Sequence, residues 1–357
     1  MITAVRTHRT SVPLHTSFVT SLRRTTTIDT VVVEIEDSDG HHGYGEAPQV
    51  WQVTGESLDG AQACIDGPLA TVIAGRDPDD LVPLLHTVST TVAANAGAKA
   101  AVDIALHDLS AHRRGVSLAR FLGAAQHEVP TDVTLSAGDV TALADAARAR
   151  LGDGFDVLKV KVGTDATTDV ERVRAVRAAV GPAARIRLDA NQGWTARDAV
   201  NVIGALEDAA LDVELVEQPV AAADLAGLAW VTDRVNTPIL ADEAVYSVRD
   251  LVELIRRRAA DMVNVKLAKC GGLHQARTML EVARAHGVGA IVGSMMETQI
   301  GVGAAASLVA AYGTTAVSDL DAAWWIAESP YVGGLVYRTS TVVLPEAPGL
   351  GIDGFSR

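Results

Sequence analysis

From Asp132 onward the chain repeats one pattern, and this repeat constrains the fold more than any other feature of the sequence. A short run rich in β-branched residues is followed by a few polar residues and then by an Ala-, Leu- and Arg-rich stretch with helical spacing. Such alternation predicts a parallel sheet, because each helix carries the chain back to the same end of the sheet. Eight strands are predicted, at 131–136, 157–162, 185–189, 213–217, 238–242, 262–267, 290–294 and 316–320. With seven intervening helices, they predict a (β/α)7β modified TIM barrel rather than an open sheet.

Five charged residues stand at the ends of consecutive predicted strands. Lys161, Asp189, Glu217, Asp242 and Lys266 are separated by 28, 28, 25 and 24 residues, about one strand–helix unit each. Residues at the C-terminal ends of barrel strands point into the mouth where the active sites of such barrels form. The spacing therefore predicts that these five side chains surround one site.

The first 125 or so residues have a different pattern and predict a separate α+β capping domain. Strands are expected near 2–13 and 30–37, and helices around 57–74 and 94–112. The stretch GEAPQVWQVTGES is predicted to be a loop that closes over the barrel mouth. The chain is thereby divided into a capping domain at 1–125, a catalytic barrel at 126–322 and a C-terminal segment at 323–357 that packs back on the capping domain.

Charge and hydropathy exclude several classes of partner. The 30 basic and 44 acidic residues give a formal charge of −14, which repels nucleic acid. No apolar stretch approaches the roughly eighteen residues of a membrane span, and the N-terminus lacks the apolar region of an export signal. Cys64 and Cys270 are too few for a disulfide framework and too far apart for a paired metal motif. We expect a cytoplasmic enzyme that acts on a small molecule.

Three of the strand-end residues are carboxylates on consecutive strands: Asp189 in RLDAN, Glu217 in LVEQP and Asp242 in LADEA. Any one of them alone would be interpreted as a helix cap or a salt-bridge partner. Three converging carboxylates repel one another unless a cation neutralises them. Oxygen ligands without Cys or His suit Mg²⁺, so one Mg²⁺ ion is predicted here.

The lysines predict acid–base chemistry. Lys159 and Lys161 in VLKVKV lie two residues apart on a strand and face the same side. Burial and like charge both lower a lysine pKa, which suits a general base. Lys266 ends the sixth strand, across the mouth from Lys161, so the pair is predicted to move a proton between opposite faces of a carbon beside a carboxylate. Lys266 could instead pair with Glu217 or Asp242, or form a Schiff base, but a Schiff base leaves the metal cage unexplained.

These residues stand in motifs that resemble a known family, from near Val12 to Gly351. KVKVG, RLDANQGW, ELVEQP, ADEA, NVKLAKCGG and VGSMMET are similar to the muconate-lactonizing subgroup of the enolase superfamily, and within it to the dipeptide epimerases. The resemblance implies that Lys161 and Lys266 are the acid–base pair and that Asp189, Glu217 and Asp242 hold Mg²⁺. It further implies that Lys159 assists, that Asn191 and Glu243 support the metal ligands, and that the protein is a homo-oligomer.

Two local features favour a dipeptide epimerase within that subgroup. Asp319 and Asp321 form a DxD pair at the end of the last predicted strand, on one face. An anionic pair suits the free ammonium group of a dipeptide better than an N-acyl group, although Asp321 could also start a turn or a helix. The second feature is the GEAP and TGES stretch, which is similar to the capping loop of those enzymes.

The alternatives are an N-acylamino acid racemase, an o-succinylbenzoate synthase or a muconate cycloisomerase, and, in a different class, a non-catalytic metal-binding barrel.

Specificity for L-Ala-D/L-Glu is suggested by one further residue. Arg23 matches an arginine that Ala-Glu epimerases use for the substrate's side-chain carboxylate, a role that a guanidinium group fits. After the DxD pair, however, Trp324 and Trp325 stand where those enzymes carry smaller aliphatic residues. Ser136, Met296 and Glu297 complete the predicted substrate contacts.

Overall fold

The computed structural model describes residues 1–19, 24–136 and 138–356. Its centre is a seven-stranded parallel sheet in which the strands follow one another in sequence order. The strands are β5 (Val133–Leu135), β6 (Val157–Lys161), β7 (Arg185–Asp189), β8 (Val213–Glu217), β9 (Ile239–Ala241), β10 (Met262–Lys266) and β11 (Gly289–Gly293).

The last predicted strand closes this sheet into a barrel by hydrogen bonds on both of its sides. Asp319 N donates to Val292 O (3.0 Å), and Ser294 N donates to Asp319 O (3.0 Å), next to β11. On the other side, Asp132 N donates to Ser318 O (3.1 Å), next to β5. The predicted (β/α)7β barrel with a cap is therefore confirmed, although the segment at 316–320 makes single bridges rather than a regular strand.

Seven helices connect the barrel strands, as predicted. They are α6 (Val140–Gly152), α7 (Ala166–Val180), α8 (Ala196–Asp208), α9 (Leu225–Thr232), α10 (Val248–Arg257), α12 (Leu273–Ala285) and α13 (Gln299–Tyr312). Most of them begin at a Ser, Thr or Asp whose side chain accepts a bond from a free backbone N–H of the first turn. These caps are Asp139, Asp165, Thr195, Asp224, Ser247 and Thr298.

The cap consists of a three-stranded antiparallel sheet covered by helices. Its strands are β1 (Ile2–Val19), β2 (Arg24–Asp37) and β3 (His42–Pro48). Its helices are α1 (Leu58–Cys64), a π-helical turn at Ile65–Leu69, α2 (Ala70–Ile73), α3 (Leu81–Thr91), α4 (Ala96–Arg113) and α5 (Leu118–Phe121). Buried Val31, Val33 and Ile35 alternate along β2 and form much of the core with α4.

The prediction that GEAP belongs to a loop is wrong, because these residues end strand β3. The glycines of this strand let the backbone of α4 approach it closely. A Cβ atom at Gly43 would lie 2.2 Å from Ala105 O, and the Cβ at Gly45 would clash with Ala101 O. Glycine, which normally weakens a strand, is therefore required here by packing.

The C-terminal segment contributes short strands beside both cap and barrel. These are β12 (Tyr331–Gly333), β13 (Val336–Arg338), β14 (Thr341–Val343) and β15 (Ile352–Phe355), and β14 also pairs with β4 (Glu128–Pro130). The Phe355 ring contacts those of His8 and Tyr44 in the cap sheet. Across residues 1–19, 24–136 and 138–356, every helix is too short or too polar to cross a membrane.

Candidate active site

A cavity lies at the C-terminal ends of the barrel strands, where cap and barrel meet. Residues predicted from the sequence form most of its wall: Lys159, Lys161, Asn191, Asp242, Glu243, Lys266, Met296, Asp319 and Asp321. Phe18, Gln52 and Val53 of the cap also line it. A ligand in this cavity therefore contacts both parts of the chain.

The strand register places the charged residues at one level. Lys161 is the β-partner of Asp189, and Asp189 is the partner of Glu217 on the next strand. Asp242 follows β9, and Lys266 ends β10. The three carboxylates thus occupy adjacent strands, and the strands of Lys161 and Lys266 flank them on either side.

The carboxylates are bound to buried lysines. Lys161 Nζ lies 2.5 Å from Asp189 Oδ2, and Lys266 Nζ lies 2.9 Å from Asp242 Oδ2. Lys159 Nζ lies 2.8 Å from Glu217 Oε2 and 2.6 Å from Asp319 Oδ2. Opposite charges alternate at these distances, so each buried charge has a partner that offsets part of the cost of its burial.

The expectation of a lowered pKa is wrong for Lys159, and Lys266, for which no shift was predicted, also has a raised pKa. Burial acts to lower both values, but the neighbouring carboxylates outweigh it and raise them. Asp319 and Glu217 are the strongest of these for Lys159, and Asp242 for Lys266. The same pairing lowers the pKa of Asp242, against its own burial. Opposite charge therefore outweighs burial for these two lysines and Asp242, whereas burial prevails at Glu217 and raises its pKa.

The donor set fits a Mg²⁺ ion. Asp189, Glu217 and Asp242 offer only oxygen atoms, and Glu217 Oε2 is buried without a well-directed hydrogen bond, although Lys159 lies near it. Glu243 Oε2 and Asn191 Oδ1 are likewise buried and unbonded. Burial, together with Asp242 and Asp189, raises the pKa of Glu243 to about 7. A divalent cation would satisfy these oxygen atoms and relieve the repulsion among the carboxylates.

The predicted supporting residues lie beside the ligand set. Asn191 N donates to Asp189 Oδ1 (2.9 Å), and the Asn191 side-chain amide bridges Asp189 Oδ2 and Glu243 Oε1, both at 3.3 Å. Asn191 itself has a positive φ of 42°, a conformation that Asn tolerates better than most residues. Its side chain thus joins two strand ends at the site.

A second cluster of acidic and histidine side chains, in the cap, has its potential ligand atoms closer together than the barrel carboxylates do. The ligand atoms of Asp37, Asp39 and His41 in the cap all lie within 4.8 Å of one another, an arrangement that no other acidic, His or Cys group shares within the part of the chain the structure describes. Arg113 Nη1 lies 2.5 Å from Asp37 Oδ2 and 2.9 Å from Asp39 Oδ2, so a guanidinium group already neutralises them. At the barrel mouth, lysines neutralise the carboxylates instead, and Lys159 lies within 3.5 Å of both Asp189 and Glu217.

The two DxD carboxylates line the cavity but have different partners. Asp319 is bound to Lys159, which lowers its pKa to about 2 although burial acts to raise it. Asp321 Oδ2 accepts bonds from Thr134 N (2.8 Å) and Trp325 Nε1 (3.0 Å). Burial and the charge of Asp319 raise the pKa of Asp321 to about 6.

Several predicted substrate contacts lie away from the described cavity. Glu297 is buried, accepts a bond from Met295 N (3.1 Å) and lies near Glu46; burial and Glu46 raise its pKa to about 8. Ser136 contacts Ser17 O at 3.5 Å. Arg23 lies outside the described residues. Met296 does line the cavity, whereas Trp324 and Trp325 pack behind it.

Sequence reasoning missed three polar residues that hold the site. Lys269 Nζ donates to Asp242 Oδ1 (2.5 Å), and Asn264 Nδ2 donates to Glu217 Oε1 (2.8 Å). Below them, Arg187 fills the barrel interior and bonds Asp132 Oδ2 at 3.1 Å. Asn264 and Arg187 precede strand-end site residues by two positions, so the period of a strand places them inward. Lys269 lies on the short helix α11 (Leu267–Cys270), where no such period applies.

Comparisons with known proteins agree with this geometry. Residues 1–123 match the mandelate racemase / muconate lactonizing enzyme N-terminal domain, and residues 142–354 match the enolase C-terminal domain-like family. The L-Ala-D/L-Glu epimerase of Bacillus subtilis is 41% identical over 99% of this chain and 97% of its own length.

Two solved structures have the same fold. A substrate-liganded complex of the Bacillus subtilis L-Ala-D/L-Glu epimerase superposes with a TM-score of 0.97 at 40% identity, covering 100% of this chain and 99% of that one. A dipeptide epimerase from Enterococcus faecalis, complexed with Mg and the dipeptide L-Leu-L-Tyr, gives a TM-score of 0.94 at 39% identity, covering 98% and 99%. The barrel with its cap, the charged strand ends and both domain matches lead to one assignment: the chain belongs to the enolase superfamily, with the domain pair of the mandelate racemase / muconate lactonizing enzymes.

Proposed function

We propose that this protein is a Mg²⁺-dependent dipeptide epimerase, an isomerase that moves a proton at the α-carbon of the C-terminal residue of a dipeptide. One observation carries the proposal: the DxD pair, Asp319 and Asp321, lines the same cavity as Lys161 and Lys266. The residues proposed for proton transfer and those proposed to bind an ammonium group thus line one cavity, as a dipeptide requires.

The lysines are arranged for transfer between two faces. Lys161 on β6 and Lys266 on β10 are separated by the three carboxylate strands, and both reach the cavity. In the proposed reaction the amine of one lysine takes the α-proton from one face, and the ammonium group of the other returns a proton to the opposite face. Reversal of these roles converts the other epimer.

Asp189, Glu217 and Asp242 would hold the Mg²⁺ ion. When bound, Mg²⁺ supplies positive charge that stabilises the negative charge developing on the substrate carboxylate and offsets the carboxylate field that raises the pKa of Lys266. Lys269 and Asn264 keep Asp242 and Glu217 in place through the bonds described above. The lysines of the chain would thus transfer the protons, and its polar residues would orient the metal-binding carboxylates.

Asp319 and Asp321 give the site its preference for a free amine. Asp319 already pairs with Lys159, but no cationic side chain pairs with Asp321 among the described residues. A cationic group is therefore favoured beside Asp321, and a neutral N-acyl group would leave its charge unpaired. For the preferred side chains, we propose L-Ala-D/L-Glu as one candidate substrate and Arg23 as the residue that would bind its terminal side-chain carboxylate.

Incubation in D₂O with L-Ala-L-Glu and a panel of other dipeptides tests the proposal. Deuterium should enter the α-carbon of the C-terminal residue with Mg²⁺ present, and EDTA should abolish the exchange. A panel in which no dipeptide exchanges would remove the epimerase assignment.

Replacing Asp319 by Asn distinguishes the epimerase from an N-acylamino acid racemase. An epimerase should lose on the order of tenfold to a hundredfold in kcat/KM for dipeptides, because one charge-assisted contact to the ammonium group is lost. An N-acylamino acid racemase should keep its activity on N-acyl substrates.

We also propose that the protein works in the cytoplasm as a homo-oligomer, with the chain divided at residues 125 and 322. Both cysteines are free thiols, as is usual in reducing compartments. Light scattering after size-exclusion chromatography and cell fractionation test the assembly and the location. Limited proteolysis tests the division, since cleavage should concentrate at real boundaries.

A further inference from the structure

The carboxylate of Asp321 is held on one side only. Thr134 N and Trp325 Nε1 both donate to Oδ2, at 2.8 and 3.0 Å. Oδ1 receives no hydrogen bond from any residue within the described ranges, and Asp321 lines the cavity. The two donors thus orient the carboxylate so that one oxygen remains for a ligand.

Trp325 is itself fixed by its surroundings. It ends a 3-10 turn at Ala322–Trp325 and is only 4% exposed. Its ring stacks on His15, with centroids 5.4 Å apart, and meets Phe18 edge-on at 6.1 Å. The guanidinium carbon of Arg150 lies 5.6 Å from its ring centroid. A donor anchored on several sides holds its acceptor in one orientation.

The local backbone adds to this constraint by tying the turn to the first cap strand. Ala327 N donates to Pro13 O at 3.0 Å, and Leu14 forms a β-bridge with Ile326. Phe18, on the same strand, lines the cavity. The indole therefore stands between the cap strand and the carboxylate, touching both, while lying outside the cavity wall.

We propose that Trp325 is a positioning residue for amine recognition, acting through its indole N–H on Asp321. This inference rests on the proposed function, because it assumes that Asp321 receives the ammonium group of the substrate. The N–H aligns the carboxylate and favours its charged form, and a charged, fixed carboxylate discriminates between an ammonium group and a neutral one. Trp325 does not touch the substrate.

Packing alone does not explain the tryptophan. A phenylalanine ring would fill a similar aromatic niche, whereas a buried indole N–H needs an acceptor. Trp324 provides the contrast: it lies in the same cluster, 4.9 Å from Trp325 between ring centroids, with Arg150 4.8 Å above it. Within the described part of the chain, the Trp324 indole donates no hydrogen bond to the Asp321 carboxylate; only the Trp324 backbone N donates, to Asp321 O at 2.9 Å.

The test replaces Trp325 by Phe and uses Trp324→Phe as the matched control. Two constants are measured: KM for an accepted dipeptide and Ki for its des-amino analogue, which lacks the ammonium group. Trp325→Phe should raise KM about tenfold, about 1.4 kcal/mol, and leave Ki within about twofold. Trp324→Phe should change both constants by less than about twofold. A structural role alone would alter the two constants in parallel or lower kcat instead.

The proposal is overturned if Trp325→Phe leaves the KM-to-Ki ratio unchanged, or if Trp324→Phe shifts it equally. A second measurement does not need the variant to fold. The wild-type protein is labelled with ¹⁵N in its five tryptophan indoles. The chemical shift of one indole N–H should change when the dipeptide binds but not when the des-amino analogue binds. If the proposed function is wrong, the wild-type protein will exchange the α-proton of no dipeptide, and this outcome is distinct from the results above.

Discussion

Gly293 determines where the Lys266 side chain can lie. Gly293 ends β11 and is the β-partner of Lys266 on the neighbouring strand. A Cβ atom at Gly293 would lie 3.0 Å from Lys266 Cε and 2.6 Å from Asn264 Oδ1. Its φ lies outside the left-handed region, so the backbone accepts alanine and the effect of Gly293→Ala comes from contact alone.

The expected size of the effect follows from these distances. Carbon atoms pack at about 3.5–4.0 Å, so Lys266 Cε must withdraw by about 0.5–1 Å. A misplacement of about 1 Å at a reacting group can cost on the order of a hundredfold in rate. We therefore expect kcat to fall by about that factor, with crowding costing about 1–3 kcal/mol of folding stability.

Proton exchange in D₂O, followed by ¹H NMR for each epimer separately, makes this prediction specific. The epimer whose α-proton faces Lys266 should nearly stop exchanging, whereas the epimer that faces Lys161 should still exchange. Gly204→Ala is the control, because Gly204 lies within α8 with no atom within 4 Å of the added Cβ. It should leave both rates unchanged and stabilise the protein by about 0.5–1 kcal/mol. No loss, or a larger loss for the epimer that faces Lys161, would refute the placement of Lys266, whereas equal loss would assign the effect to the closer contact at Asn264.

Two further predictions concern metal and pH. Mg²⁺ at about a hundred times its Kd should stabilise the folded protein by about 2.7 kcal/mol. For a chain of 357 residues, this corresponds to about 3–4 °C in Tm. Mutation of the buried pair Asp189 and Asp242 to Asn should abolish that shift. Glu297 has a folded-state pKa of about 8, above its unfolded value of about 4.5. The folded state therefore binds the proton more tightly, and this contribution to stability is complete below about pH 4.5 and is lost as the pH rises to 8. Glu297→Gln removes this slope of about 1.4 kcal/mol per pH unit. The variant should gain Tm relative to wild type between pH 5 and pH 8, and a parallel pair of curves would contradict this.

The barrel and its charged strand ends were predictable because they depend on local periods. A strand places every second residue on one face, and a strand–helix unit returns the chain to the same level. The predicted bounds of β7 and β8 therefore agree with the structure at both ends. Strand β3 was missed because its glycines weaken the strand pattern in the sequence. These glycines are required because the backbone of α4 packs closely against the strand.

The sequence by itself predicted which residues lie at the barrel mouth and, through the family motifs, the chemistry that we propose for them. Only the tertiary structure decided how their charges pair, and with that the direction of the lysine pKa shifts, because Coulomb energy depends on distances between atoms far apart along the chain. Lys159 and Asp319 are 160 positions apart yet 2.6 Å from each other. The same holds for Trp325: an indole N–H becomes a device for orienting Asp321 only where the fold brings donor, acceptor and cap strand together.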